Sequence, residues 1–379
     1  MTGTDREKRQ RDLIARLCEI WSRILCVPAV DADSNFFDLG GDSLLAVALF
    51  LEIERETGTD LPITTIYDAP TICELANLIM DESAPAFSPL VSLKPGDGSA
   101  PLFIVHGIGG TVMELGALGR AISIPAPVYA LQAQGLDGLQ PPLESIDDMA
   151  ALYLDHVREL QAEGPYWLSG YSFGGLVALE MARRLLDENQ EPAIPILIDA
   201  FAHPWTWPRA SRLKMRARRT LYLTRQLLGA SPHKSAPALL ARLRNGLQRK
   251  DASAQLRDWL LDQNPDLPAP LLRVREAGGM ALARYVPRYY PGKIIFLKAS
   301  HPDPEFPDDP ARIWGPLAQD MDLRIVPGRH RTMVSDHAGA LAECLTARIL
   351  GNDTIGERSA VSSRRAPRTN KQRLQPQAG

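Results

Sequence analysis

The sequence predicts a chain in two parts: a small all-α bundle, then a larger α/β domain with a parallel sheet covered on both faces and a helical insertion. Three observations carry this. Only Pro28, Pro62 and Pro70 fall in the first 80 residues, where apolar side chains recur with the 3.6-residue period of helices. Residues 81–100 then turn to Ser, Ala, Pro, Gly and Asp, with Pro85, Pro89 and Pro95 among them. Beyond them, short apolar runs alternate with segments long enough for helices, the grammar of a wrapped parallel sheet. A length of 379 residues, 45% hydrophobic and 23% charged, suits two domains and excludes global disorder.

The bundle is expected over residues 8–80. From Asp12 to Leu25, the side chains of Leu13, Leu17, Ile20, Trp21, Ile24 and Leu25 share one helical face. A second helix should start near Ser43 and run through Leu44, Val47, Ala48, Leu51 and Ile53 until Gly58 breaks it. Ile72–Met80 reads as the last helix, with Thr71 as its cap after Pro70. Residues 81–100 read as a linker. In the α/β domain, residues 101–351, the strand runs are Leu102–Val105, Val128–Leu131, Tyr166–Leu168, Ile194–Ile198, Ile294–Leu297 and Leu323–Val326. Ile146–Gln161 and Leu176–Asp187 are crossover helices. The gap between Ile198 and Ile294 is too long for one crossover, and its runs Arg209–Leu228, Ala236–Gln248 and Ala252–Leu261 predict an inserted helical subdomain at about 204–290. Residues 352–379 are rich in Ser, Arg, Pro and Gln, and are expected to be a disordered basic tail.

Charge narrows the function classes. Forty-two basic against 45 acidic residues leave a formal charge of −3, so the chain as a whole is no binder of nucleic acid. The distribution is uneven: residues 1–80 hold 14 acidic and 7 basic side chains, whereas residues 205–275 hold 15 basic and 4 acidic. An acidic front end and a basic insertion could dock on one another; solvated helix surface is the plainer alternative. Cys18, Cys26, Cys73 and Cys344 form no Cys-x-x-Cys pair, which argues against a metal knuckle or a disulfide framework, and no metal is expected. The charged start, Met1 to Asp12, is followed by no long apolar stretch, so neither a leader nor a membrane span is expected and a cytoplasmic protein is. Met1 and that start also suit a free-standing protein.

Asn35-Phe36-Phe37-Asp38-Leu39-Gly40-Gly41-Asp42-Ser43-Leu44-Leu45 places Ser43 at the start of a helix. A plain N-cap would explain Ser43 but not the run ahead of it. The segment resembles the attachment site of acyl and peptidyl carrier proteins, and the Gly-Gly-Asp-Ser-Leu form is most similar to the carriers of nonribosomal peptide synthetases. The resemblance spans roughly residues 8–80. It implies that Ser43 is esterified to 4′-phosphopantetheine by a separate, Mg²⁺-using phosphopantetheinyl transferase, with Asp42 in that enzyme's recognition surface. The arm's thiol would carry an acyl or peptidyl thioester.

Gly170-Tyr171-Ser172-Phe173-Gly174-Gly175 lies between a strand and a helical run, the setting of a Gly-x-Ser-x-Gly nucleophile elbow. Such a turn strains the serine and requires small neighbours two residues away, which Gly170 and Gly174 are. A serine nucleophile needs a base and an orienting acid, in the chain order Ser, acid, His for this kind of sheet. His330 lies in a loop between the last strand and the final helix and is the favoured base over His301 and His337; His203 and His233 read as bland. Asp199, at the end of a buried strand, is the favoured acid, with Asp303 and Asp308 as rivals. His106-Gly107-Ile108-Gly109-Gly110 follows the first strand of the domain, where one oxyanion-binding N–H is supplied. The pair is assigned to the Ile108 and Phe173 amides, with His106 holding the loop.

Together these residues resemble the thioesterase domains that close nonribosomal peptide and polyketide assembly lines, over roughly residues 88–350. The motifs are the His-Gly-x-Gly-Gly loop, Gly-Tyr-Ser-Phe-Gly-Gly, the Asp199 strand end and Gly-x-His-x-x-Met. The first loop often reads His-Pro in that family, where this chain has His106-Gly107. The resemblance implies an α/β-hydrolase fold with a helical lid at 204–290, and it favours Asp199 over Asp303. It further implies release of the acyl group from Ser43 by hydrolysis, cyclisation or transfer, with upstream synthetase or synthase modules loading the carrier. The linker would keep the two sites at high effective concentration. Other readings are an editing thioesterase acting on other carriers, a carrier with a non-catalytic docking hydrolase domain, and a plain esterase or lipase. The last leaves the Ser43 motif unexplained.

Overall fold

Apolar side chains at helical spacing draw the N-terminal helices around one small core. In the computed structural model, which describes residues 3–41, 43–81, 87–190, 193–218, 268–303 and 306–351, these helices are α1 (Gly3–Leu25), α2 (Ser43–Thr57), α3 (Thr65–Asp68) and α4 (Ile72–Met80). Leu17, Trp21, Phe36, Leu49, Ile53 and Leu75 fill the space between them. Gly58, at φ +72°, follows α2. Thr71 starts α4 with a reciprocal cap: the Glu74 N–H donates to Thr71 Oγ1 at 3.3 Å, and the Thr71 N–H donates to the Glu74 carboxylate at 3.0 Å. The short α3 has no counterpart in the sequence reading, because a single helical turn carries no periodic signal.

The second part is a seven-stranded sheet in the order β1-β3-β2-β4-β5-β6-β7. The strands are β1 (Leu90–Lys94), β2 (Leu102–Val105), β3 (Val128–Leu131), β4 (Trp167–Tyr171), β5 (Ile196–Ile198), β6 (Tyr290–Ala299) and β7 (Ala318–Val326). Six of them pair in parallel, as the alternating pattern predicts, but β1 runs antiparallel to β3 and the sheet is mixed. The expected linker over 81–100 is corrected accordingly, since β1 lies within it. An edge strand buries only one face, here chiefly through Val91, and so short an alternation is masked by the surrounding proline, serine and glycine.

Period-two alternation sends Phe103, Val105 and Leu168 to one face of the sheet and Leu102, Ile104 and Val128 to the other. The first face is covered by α6 (Ile146–Leu160) and α7 (Phe173–Asp187), the second by α5 (Gly116–Ala121) and α10 (Ala338–Ile349). Two more helices, α8 (Ala269–Arg284) and α9 (Ala311–Trp314), flank β6 in the chain. Of the insertion, residues 209–218 are helical and α8 closes it. Ala236–Gln248, Ala252–Leu261 and most of the basic segment lie outside the described residues, as does the tail 352–379. Among the described residues no helix is long and apolar enough to cross a membrane.

Candidate active site

β4 leads straight into Ser172, whose backbone sits at φ +54° and ψ −117° before α7 begins. An L-residue reaches that region only under strain, and the surroundings hold it there. The Ser172 N–H donates to the Ile198 carbonyl at 2.8 Å. A Cβ on Gly170 would stand 2.1 Å from the Gly174 carbonyl oxygen, and one on Gly174 would stand 2.3 Å from the His106 carbonyl oxygen. The two glycines are therefore what lets strand, turn and helix close on one another.

Three of the residues singled out from the sequence come together here. His330 Nε2 lies 2.9 Å from Ser172 Oγ, and His330 Nδ1 lies 2.9 Å from Asp199 Oδ2. Asp199 follows β5 at φ +46°, with its N–H donated to the Leu297 carbonyl at 2.8 Å. Asp199 and His330 are 3% and 8% exposed, so bulk water competes little for these bonds. The imidazole also meets two rings, with the Phe306 centroid 4.2 Å away and the Tyr171 ring stacked at 5.1 Å, and the Tyr171 hydroxyl holds the His330 backbone by donating to its carbonyl at 2.9 Å. The rivals stand elsewhere. His301 bonds to Ser300 and Gly328, His337 precedes α10 with its ring against Gly328, and Asp308 pairs with Arg218 and Lys214.

The loop after β2 curls past this serine. Gly110, at φ +81°, returns its N–H to the Gly107 carbonyl at 3.1 Å. Among the described residues, no backbone hydrogen bond outside the helices and strands uses the Ile108 N–H, and Phe173, as the first residue of α7, has no intrahelical acceptor for its own. His106 is buried, and burial pushes its pKa down to about 4, so the ring is neutral near pH 7. Its Nδ1–H then donates to the Gly107 carbonyl, while Nε2 accepts from the Tyr153 hydroxyl at 2.7 Å. Beside the loop is a mainly apolar pocket lined by Ile108, Leu143, Met149, Tyr153 and Val274. Sequence reasoning missed Glu114, which accepts the Gly107 N–H on Oε1 at 3.1 Å. It also missed Tyr171 and Phe306 as supports of His330; ring contacts between distant segments leave no local signal.

Ser43 is the first residue of α2, and Asp42 lies outside the described residues. Gly41 packs against the Phe36 ring, since a Cβ there would be 2.3 Å from it, and Gly40 turns at φ +87°. The helical bundle rests on the α/β domain beside the turn that follows the Gly107–Gly110 loop. The Tyr67 hydroxyl is shared between the Val112 and Met113 carbonyls, both at 3.2 Å, and the Met113 side chain is buried in the bundle's own core. The Arg120 guanidinium stands 4.7 Å above the Phe37 ring, which in turn leans on Tyr67 at 5.1 Å.

The sheet order and the strained serine between β4 and α7 define an α/β hydrolase. Residues 100–349 match the thioesterase domain family and residues 15–79 the phosphopantetheine attachment site family. The chain belongs to the thioesterase family, with a phosphopantetheine-binding carrier region ahead of the thioesterase domain. It is 38% identical over 186 residues to a dimodular nonribosomal peptide synthase of Bacillus subtilis (strain 168), an alignment covering 49% of this chain and 8% of that protein. To an indigoidine synthase of Dickeya dadantii (strain 3937) it is 37% identical over 166 residues, covering 44% and 11%. Its fold is similar to that of a four-domain nonribosomal peptide synthetase solved in its holo form with AMP and glycine, at TM-score 0.53 and 25% identity, covering 89% of this chain and 26% of that one. The chain thus spans only a small part of these relatives.

Proposed function

We propose that the chain carries an acyl or peptidyl group as a thioester on a 4′-phosphopantetheine arm at Ser43 and releases it through Ser172, as the last step of a nonribosomal peptide or polyketide assembly line. The observation that carries the reading is the chain of hydrogen bonds from Ser172 through His330 to Asp199, beside the Ile108 amide of the loop and the Phe173 amide that opens α7. For the arm, support comes from Ser43 opening α2 behind a glycine turn too tight for a side chain at Gly41. When attached, the arm supplies a thiol on which the acyl group rides to the second serine.

The residues then divide the work. His330 Nε2 takes the proton from Ser172 Oγ as that oxygen bonds to the thioester carbonyl carbon. Charge builds on the carbonyl oxygen, which the Ile108 and Phe173 N–H groups receive at the positive end of α7. As the carbon–sulfur bond breaks, His330 returns the proton to the departing sulfur. Asp199 stabilises the imidazolium in between and keeps Nδ1 protonated. Water, a group of the acyl chain, or an external amine or alcohol next attacks the Ser172 ester, giving its proton to His330 Nε2, which passes it to Ser172 Oγ. The placement of Phe37 and Tyr67 against the turn after the oxyanion loop supports delivery from this carrier; upstream modules would load it after a phosphopantetheinyl transferase has primed it.

The test is intact-protein mass spectrometry after incubation with a promiscuous phosphopantetheinyl transferase and an acyl-coenzyme A. Ser43 should gain the acyl-pantetheine mass, and Ser172→Ala alone should retain it, with the released product naming the nucleophile. Equal retention in both proteins would favour a carrier with a non-catalytic hydrolase domain. No gain in mass would remove Ser43 as the attachment site.

A further inference from the structure

The turn from Val112 to Glu114 is gripped from two sides. On one side, the Tyr67 hydroxyl of the carrier meets the Val112 and Met113 carbonyls, and Met113 enters the carrier core. Gly116 keeps that approach open, since a Cβ there would stand 2.8 Å from the Tyr67 oxygen. On the other side, Glu114 Oε1 receives the Gly107 N–H. Gly107 is buried, and a Cβ on it would fall 2.3 Å from that same Glu114 oxygen, so the contact depends on glycine.

The geometry of two successive peptide planes gives the contact its meaning. The plane between Gly107 and Ile108 is pinned through its carbonyl, which accepts from the His106 ring and from the Gly110 N–H. In a trans peptide the N–H points opposite to the C=O, so pinning the Gly107 carbonyl aims the Ile108 N–H away from it. The preceding plane, between His106 and Gly107, is pinned through its N–H by Glu114 alone among the described hydrogen bonds. Without that acceptor a buried N–H is left unpaired, and the loop can relieve it only by turning.

Resting on the reading of Ile108 as an oxyanion donor, we propose that Glu114 is a positioning residue that ties the carrier's seat to the oxyanion loop, so that contact of the carrier with Val112 and Met113 steadies the Ile108 amide. The seat and the donor share one turn of backbone. A carrier in place therefore serves the reaction at Ser172 even when the acyl group arrives from solution.

That last consequence supplies the test. In the full chain bearing Ser43→Ala, turnover of a soluble acyl N-acetylcysteamine thioester is compared for the parent, Tyr67→Phe, Glu114→Ala, Glu114→Gln and the Tyr67→Phe/Glu114→Ala double variant. Glu114→Ala should lower kcat about tenfold with KM little changed, because the loss is one of donor placement. Glu114→Gln, which keeps an acceptor oxygen, should recover most of it. Tyr67→Phe should lower kcat about threefold, and should add nothing in the Glu114→Ala background. The link is refuted if Tyr67→Phe leaves turnover of the soluble thioester unchanged, or if its effect multiplies with that of Glu114→Ala. A Glu114→Ala loss that the glutamine variant does not recover would likewise overturn the positioning role. Melting temperatures and labelling of Ser172 by a fluorophosphonate check that each variant is folded. An inactive Ser43→Ala parent would overturn the release reading itself, and the proposal with it.

Discussion

Adding one methyl group to Gly174 should disable the elbow. The new Cβ would stand 2.3 Å from the His106 carbonyl oxygen and 2.4 Å from that of Val105. Both are backbone atoms of β2 and its exit, and neither can rotate away. Ordinary contact then requires the end of β2 and the start of α7 to separate by on the order of 1 Å, a displacement worth about 100-fold in rate when it falls between reacting groups. On the proposed mechanism it falls there, because β2 leads into the Ile108 loop and α7 begins at Phe173. The strain of overpacking is about 2–3 kcal/mol, or roughly 5–10 °C in Tm for a domain of this size. The assay is hydrolysis of a soluble acyl thioester together with thermal melting, with phosphopantetheinylation of Ser43 as an internal control that should not change. Gly339→Ala is the comparison: nothing lies within 4 Å of its would-be Cβ, and it sits in α10, so stability should hold or rise by about 0.5–1 kcal/mol. Gly174→Ala with activity within threefold of the parent and an unmoved Tm would refute the packing argument.

Three further outcomes follow from the described contacts. Asp199→Asn keeps the shape of the side chain but removes the charge facing His330 Nδ1, and kcat should fall by about 10³–10⁴ with Tm nearly unchanged, as read by single-turnover kinetics and melting. His106 gains its proton near pH 6.5 when unfolded but only at about 4 when folded, so the stability it contributes is complete above pH 6.5 and is lost as pH falls toward 4. That amounts to about 3 kcal/mol, and urea titrations at pH 7 and 4.5 should differ less for His106→Gln than for the parent. Glu180 is buried on α7 with Arg183, Arg288 and the Tyr285 hydroxyl around its carboxylate. Glu180→Ala strands the Tyr285 hydroxyl and leaves Arg183 and Arg288 with Asp187 and Asp147 alone, and should cost about 2–3 kcal/mol in a denaturant titration, a figure lowered by those remaining pairs and because Arg288 is half exposed.

The readable parts of this molecule are those where local chemistry leaves few choices. A serine at φ +54° between a strand and a helix tolerates only glycine at 170 and 174, and that pair of absences is visible in one dimension. Asp199 was readable because a carboxylate at the end of an apolar strand demands a partner, and His330 because it stands in the loop before the final helix. What could not be read depends on distance. Glu114 meets Gly107 only after the loop has curled back. Phe306 meets His330 only after β6 and β7 have paired, and Tyr67 meets Met113 only after the bundle and the sheet domain touch. β1 was lost for a different reason: five residues at a sheet edge, flanked by proline and glycine, carry too little pattern to outweigh their neighbours.

The burial of Met113 inside the helical bundle gives the resting arrangement an energy of its own. Its side chain belongs to the sheet domain by sequence and to the bundle by contact, and it is 7% exposed where it sits. Separating the bundle from the sheet domain would hand that thioether back to water, at a cost of roughly 2 kcal/mol. By itself that is a factor of about thirty in favour of the docked arrangement. One thioether thus acts as a latch, borrowed from the sheet domain and closed inside the bundle.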